Sequence, residues 1–171
     1  MIGFVIELPI ARKISALMDV FVKMPQIATH IKNDQFEYYS WGDPIEPADL
    51  GDCLQKEPKI SKIIDNVRGH FYYLLLSRKS GDIVMGNSLF SILPVYYSSE
   101  GDSLVLSENA IRLNEYSRKR SISRRFILET VLFNYPVFDQ GPFEGIKLLP
   151  CNSSISVSGG KWRIEKHTRI E

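Results

Sequence analysis

Residues 69–77 read GHFYYLLLS, and residues 83–86 answer with IVMG across the turn RKSGD at 78–82. Two aromatic or aliphatic runs flanking a Gly/Asp/Ser cluster predict antiparallel strands joined by a turn. PVYYS at 94–98 is a third strand, and SLVL at 103–106 a fourth, reached through Glu100-Gly101-Asp102. Together they predict an antiparallel meander. The first strand shows almost no alternation with polar residues, so both of its faces need cover.

Outward from this centre, residues 2–8 predict a short buried strand ended by Pro9. Residues 14–31 are ambiguous: Ile14, Leu17, Met18 and Phe21 have helical spacing, but Pro25 interrupts it. QFEYYSW at 35–41 reads as a strand stopped by Gly42-Asp43-Pro44, followed by a Pro/Asp-rich loop and a short helix over 59–66. Past the meander, Ser107 is the expected N-cap of a helix reaching Leu113, with Glu108 in its first turn. Ser123 caps a second helix whose Phe126, Ile127, Thr130, Val131 and Phe133 share one broad face, and Pro136 bars its continuation. A final hairpin runs from Ser154 through Gly159-Gly160 to Ile164. This order of strands, helices and strands predicts an α+β domain of face-to-face sheets with helices outside.

The 171 residues suit one domain, and 44% apolar against 24% charged content predicts a packed core, not a disordered chain. A net charge of +1 gives no field to recruit nucleic acid or an anionic membrane. The local basic cluster of Arg118, Lys119, Arg120, Arg124 and Arg125 lacks interleaved aromatics and reads as a solvated linker and helix start. Cys53 and Cys151 are far apart and form no metal-ligand spacing, so neither a disulfide framework nor a metal site is expected. The apolar start meets Glu7 and Pro9 too early for a signal peptide, and no run is long enough to span a bilayer. The expected compartment is the cytoplasm.

Several ordered motifs resemble the glutamine amidotransferase domain of asparagine synthetases. They are Gly69-His70-Phe71, Gly86, Pro94-Val95-Tyr96-Tyr97, then Leu104 with Ser107-Glu108 and Ala110. Phe143-Glu144-Gly145-Ile146-Lys147-Leu148-Leu149-Pro150 is similar to that family's F-x-G-I-x-x-L-P, and residues 154–163 to its last strands. The resemblance covers roughly residues 67–169. It implies a four-layer αββα sandwich of the N-terminal nucleophile (Ntn) hydrolases. It also implies that residues 1–171 are one domain at the front of a longer protein, whose synthetase half uses ATP and Mg. The domain itself holds no cofactor on this reading. Its partner is that C-terminal half, and the sequence leaves a homodimer open.

The catalytic parts of the family do not carry over. Its nucleophile is a cysteine after the initiator Met, whose freed α-amine serves as base beside a strongly nucleophilic thiol. Here Ile2 occupies that position, and its bulk disfavours Met removal. The family's Asn-Gly oxyanion segment has no counterpart, for no Asn-Gly pair exists in the chain. Its Arg-Leu-Ser and Ser-Asp-x-Glu glutamine clamps are absent. Asn87-Ser88 replaces an Arg-Asp pair, and Ser91 replaces a glycine. No catalytic residue is therefore assigned.

Other chemistry is weighed against plainer roles. Cys53 and Cys151 read as structural cysteines, His70 as a half-buried histidine with a backbone partner, and His30 and His167 lack predictable partners. Ser158-Gly159-Gly160 resembles a phosphate loop but lacks the following Asp and Ser, so it reads as a turn. Tyr38, Tyr39 and Trp41 suit a ligand surface or sheet packing equally. Three functions stay open: an inactive front domain of an amide-forming ligase, a stand-alone binding or oligomerisation module, and an amidohydrolase with a relocated nucleophile.

Overall fold

A computed structural model describes residues 4–10, 21–23, 27, 29–56, 63, 65–88, 92–117 and 120–167. The strands are β1 (Val5–Pro9), β2 (Phe21–Lys23), β3 (Thr29–Lys32), β4 (Phe36–Ile45), β5 (Arg68–Ser77), β6 (Ile83–Asn87), β7 (Tyr96–Glu100), β8 (Ser103–Ser107), β9 (Lys147–Leu148), β10 (Ser153–Ser158) and β11 (Lys161–Lys166). The helices are α1 (Leu50–Lys56), α2 (Ala110–Tyr116) and α3 (Arg124–Phe133). The chain is an α+β fold with two antiparallel sheets, ordered β2-β1-β8-β7-β9 and β11-β10-β6-β5-β4-β3.

The unbroken apolar run at the centre has a direct cause. On β5, Tyr72, Leu74 and Leu76 join a core shared with β1, β7 and β8 of the other sheet. Their neighbours Phe71, Tyr73 and Leu75 face the opposite way and pack with Leu50 and Leu54 of α1, plus Ile63 and Val67. Strand β4 behaves likewise, sending Tyr39 and Trp41 inward between the sheets and Phe36 and Tyr38 outward. Ala110 and Leu113 of α2 form a third cluster with Ile146, against Tyr96 and Val105. Tyr38, Tyr39 and Trp41 are thus packing residues, each less than a tenth exposed.

Several sequence expectations need correction. Strand β4 does not stop at Gly42 but runs to Ile45, paired with β5 down to Arg68. Two glycines make this possible: Gly42 and Gly69 have φ of 109° and 93°, and side chains there would strike the backbone of His70 and Asp43. The Pro/Asp-rich stretch contains α1, which rests on only two apolar residues one turn apart and so lacks a visible period. Helix α2 is capped by Asn109, not by Ser107 as expected: the Asn109 side chain accepts from the Ile111 N–H, and Ser107 ends β8. Of the helix expected over 59–66, Ile63, Asp65 and Asn66 are helical; residues 59–62 and 64, like residues 11–20 and Pro25, lie outside the described residues. Phe21–Lys23 and Thr29–Lys32 are strands.

The largest departure concerns α3. Ser123 caps it as expected, accepting from the Phe126 N–H, and Asn134 closes it in the left-handed region. Its apolar residues, however, do not enter a core: Glu129 alone is buried, while Ile127, Val131 and Phe133 are 48, 75 and 53% exposed. Of the face read from the sequence, Phe126 and Thr130 are half-buried, while Ile127, Val131 and Phe133 open outward. A single antiparallel bridge ties the start of the helix to the body: Ile122 lies opposite Phe143, with the Ser123 N–H donating to Pro142 O and the Glu144 N–H to Ser121 O.

Candidate functional site

The family resemblance directs attention to the start of β1. Ile2 and Gly3 lie outside the described residues, so the site begins at Phe4. Strand β1 runs antiparallel to β8, with Val5 opposite Ser107, which brings the start of β1 to Glu108. There the Phe4 N–H donates to Glu108 Oε2 at 2.7 Å. The Ser107 hydroxyl donates to Phe4 O at 2.8 Å and accepts from the Asn109 N–H. Arg112, one turn along α2, pairs with Glu108 Oε1 at 3.0 Å. The carboxylate thus joins a strand end to a helix start, and its charge is answered within the site.

Aromatic rings occupy the interior beside this junction. Phe4 meets Trp41 edge-on at 5.3 Å and Tyr72 at 4.9 Å, and the last two stack at 5.7 Å. None of the three is more than 2% exposed. Tyr72 donates its hydroxyl to Pro94 O at 3.0 Å. Burial, reinforced by the nearby Glu108 charge, pushes its pKa well above the usual phenol range. Asn87 donates Nδ2 to Leu93 O at 2.6 Å, while its buried Oδ1 meets no partner among the described residues. Ser88 accepts from the Phe71 N–H through Oγ and donates its own N–H to Phe71 O. Asn87 and Ser88 therefore fasten strand ends and the 92–95 segment; Ser91 lies outside the described residues.

The remaining candidates are dispersed. Cys53 sits on α1, outside the inter-sheet core, with Sγ 3.7 Å from Asp49 Oδ2. Cys151 is exposed in the turn before β10. His70, on β5 opposite Asp43, is exposed, not half-buried as expected, for the buried run of β5 begins only at Phe71.

The other two histidines have partners that only strand register could reveal. His30 and Lys32 of β3 both reach Glu37 on β4, at 3.1 and 3.3 Å. Tyr39 donates to the same oxygen at 2.9 Å and stacks on His30 at 4.3 Å. Burial pushes the Glu37 pKa up, but these hydrogen bonds and the Lys32 charge outweigh it and leave the carboxyl below its usual range. Burial and the Glu37 hydrogen bond push Tyr39 up to about 12. His167 lies 2.8 Å from Ser154 Oγ. Burial lowers its pKa, partly opposed by Glu165, so the neutral imidazole is favoured. A Ser–His contact suggests a nucleophile, yet Ser154 is fully buried and unreachable. Among the described residues, no group of three or more His, Cys, Asp or Glu side chains could hold a metal ion. No described helix is long and apolar enough to cross a membrane.

A depression of about 320 Å³ lies on the β10–β11 hairpin, lined by Ser156, Ser158, Lys161, Trp162 and Arg163. Its Arg163 is engaged by Glu165 at 2.6 Å and by Ser156.

No family model matches the chain, and no curated protein matches it. Among solved structures it is similar to glutamine phosphoribosylpyrophosphate amidotransferase from B. subtilis, complexed with ADP and GMP. The TM-score is 0.38 and the identity 8%, over 80% of this chain and 30% of that one. The chain therefore spans less than a third of that protein's length.

Proposed function

We propose that this chain is a non-catalytic, glutaminase-like front domain of an asparagine synthetase-like enzyme, serving to scaffold the synthetase half or place its substrate. The observation that carries the reading is the filled junction at the start of β1. In the resembling family a thiol, a free amine and a glutamine cradle share that region. Here the residue two places after Ile2 is Phe4, whose ring is packed into Trp41 and Tyr72 and whose N–H is spent on Glu108. The contacts of α1 and α2 with opposite sheets are consistent with a four-layer Ntn-like arrangement. ATP and Mg belong, on this reading, to the synthetase half. That half would activate a carboxylate and form an amide in the cytoplasm, using ammonia or an internal amine.

Two experiments test the reading. Purified chain is assayed for ammonia release from glutamine, beside a Cys53→Ala variant. Both should be inactive, and turnover by the unmodified chain overturns the proposal. The reading frame beyond Glu171 should encode an S-G-G-x-D-S loop, and a stop codon there sinks the ligase assignment. A second reading, a stand-alone oligomerisation module, is favoured by the outward apolar face of α3.

A further inference from the structure

The outer face of the six-stranded sheet is divided. Over β4 and β5 it is apolar, and Phe36, Tyr38, Phe71 and Leu75 pack there with Leu50 and Leu54 of α1. Over β10 and β11, at the sheet's edge, it is polar. Strand β10 sends Ile155 and Val157 inward to the core between the sheets, so Ser154, Ser156 and Ser158 line the opposite face. Across from them on β11 stand Glu165, Arg163 and Lys161. A solvated strand face carries polar residues as a matter of course, but Ser154 and Ser156 are only 0 and 7% exposed. Buried hydroxyls need partners, and those of Ser156 are charged groups of β11.

Ser156 fixes a guanidinium in place. Its hydroxyl accepts from Arg163 Nε at 3.2 Å and donates to Glu165 Oε1 at 3.3 Å, and Nε also meets Glu165 Oε1 at 2.6 Å. Arg163 is thus held through Nε, and its two terminal amino groups have no hydrogen-bond acceptor among the described residues. Lys161, two places back on the same face, forms no ion pair among the described residues. The acids nearby are engaged elsewhere. Glu165 is held on Ser156 and Arg163. Asp82 accepts from the Ser158 and Ser80 hydroxyls, which keep its carboxyl below the usual range. The depression of about 320 Å³ on this hairpin is lined by Arg163, Lys161, Ser156, Ser158 and Trp162, two cations and no carboxylate among the described residues. The turn between Ser158 and Lys161 is Gly159-Gly160, which adds no side chain there.

We propose that this depression binds the phosphate group of a small phosphomonoester, with Arg163 and Lys161 as its cationic contacts and Ser156 positioning Arg163. A guanidinium held through Nε presents its terminal amino groups as a fork, which takes two oxygens of one tetrahedral anion. Lys161 adds a point charge beside it. Two cations with no carboxylate in the lining match a dianion better than a single carboxylate. A fork already in place before contact loses little freedom on binding. The volume lies at the small end of ligand pockets, which suits a phosphate on a short carbon skeleton. Trp162, set against Tyr97 at 5.7 Å, is the apolar part of the lining. Ser158-Gly159-Gly160 remains a hairpin turn, not a phosphate loop, for the donors are side chains of the two strands.

None of these residues belongs to the junction at the start of β1, so the inference is independent of the ligase reading. The whole chain is titrated with inorganic phosphate, glycerol phosphate and acetate at fixed ionic strength, followed by backbone-amide NMR. Signals of residues 156–163 should shift together and saturate in the millimolar range, with glycerol phosphate at least as tight as inorganic phosphate and acetate severalfold weaker. Arg163→Ala should weaken binding by about tenfold, the worth of a charge-assisted pair of hydrogen bonds. Arg163→Lys should recover only part of that loss, because the charge returns without the fork. Ser156→Ala should weaken binding severalfold, and Ser156→Thr, which keeps the hydroxyl, should restore it. Lys166→Ala, on the same strand but outside the lining, should leave the affinity unchanged. Shifts that do not saturate, equal losses in Arg163→Ala and Lys166→Ala, or acetate binding as tightly as phosphate overturns the proposal. So does binding to phosphatidic acid vesicles with none to glycerol phosphate, and a Ser156→Thr variant as weak as Ser156→Ala removes the positioning role.

Discussion

At the residue scale, the sheet interior is governed by single contacts that composition does not reveal. Gly86 illustrates this. A Cβ there would lie 2.6 Å from the Tyr73 hydroxyl and 3.1 Å from Ser153 O. Tyr73 is fully buried and Ser153 O is backbone, so neither can retreat freely. Gly86→Ala should destabilise the chain by about 1–3 kcal/mol, the range for overpacking a closed core. Urea denaturation reads this directly, and an unchanged midpoint contradicts the contact. The sequence marked Gly86 as part of a motif, but the reason for it became visible only when register placed it between Tyr73 and Ser154.

His167 carries a second prediction at this scale. Burial beside Ser154 lowers its folded pKa below the ordinary value near 6.5, so the unfolded chain binds more protons in the window between the two. Its contribution to stability is present above about pH 6.5 and is lost as pH falls through the folded value. The unfolding free energy should decline from pH 7.5 to 5.5, and His167→Gln should flatten that decline. An identical slope in the variant removes His167 as its source. The carboxylates Glu37 and Glu129, both held below their usual range, act only at lower pH.

At the element scale, legibility followed the strength of local patterning. The β5–β6 hairpin and the β10–β11 hairpin were readable because glycine-bearing turns separated strong strand formers. Helix α1 was not, since Leu50 and Leu54 are its whole apolar contribution and Gly51 and Asp52 obscure it. Helix α3 was readable as a helix but not as an outward-facing one. Periodicity reports that one face is apolar and not what that face touches. Its attachment predicts its behaviour. Ser123 is buried, caps the Phe126 N–H at 3.2 Å, and donates its own N–H to Pro142 O. Ser123→Ala should destabilise the helix by about 1 kcal/mol. Because α3 lies largely outside the core, the loss should appear as faster amide exchange in residues 126–133, with little change in the β5 amides. Equal acceleration in both would mean that α3 folds as one unit with the sheets.

At the scale of the whole molecule, two levels of information separate. The paired sheets were legible because core-forming motifs persist from Gly69 to Trp162. The candidate site was legible mainly as motifs of the resembling family that the sequence lacks: Cys53, Cys151 and the three histidines are distributed over a helix, a turn, the interior strand β5 and the two edges of one sheet. What stands beside the start of β1, the Phe4–Trp41–Tyr72 cluster with Glu108 on the Phe4 N–H, required tertiary contacts between residues far apart in sequence. This difference has a measurable consequence. If Ile2 were an isolated loss, Ile2→Cys would restore glutamine hydrolysis. Cysteine at that position also permits removal of Met1, so mass spectrometry can verify that the free amine has formed. The Asn-Gly segment that supplies oxyanion donors in the resembling family has no counterpart in the sequence, however, and one such donor is worth roughly a hundredfold in rate. On the proposed reading the glutamine clamps are missing as well, and buried rings fill the core beside β1. Correctly processed Ile2→Cys protein should therefore release no more ammonia from glutamine than a buffer blank, while its thiol remains titratable. Turnover above the blank would show that the surrounding site is competent, and would contradict the proposed loss of the glutamine site.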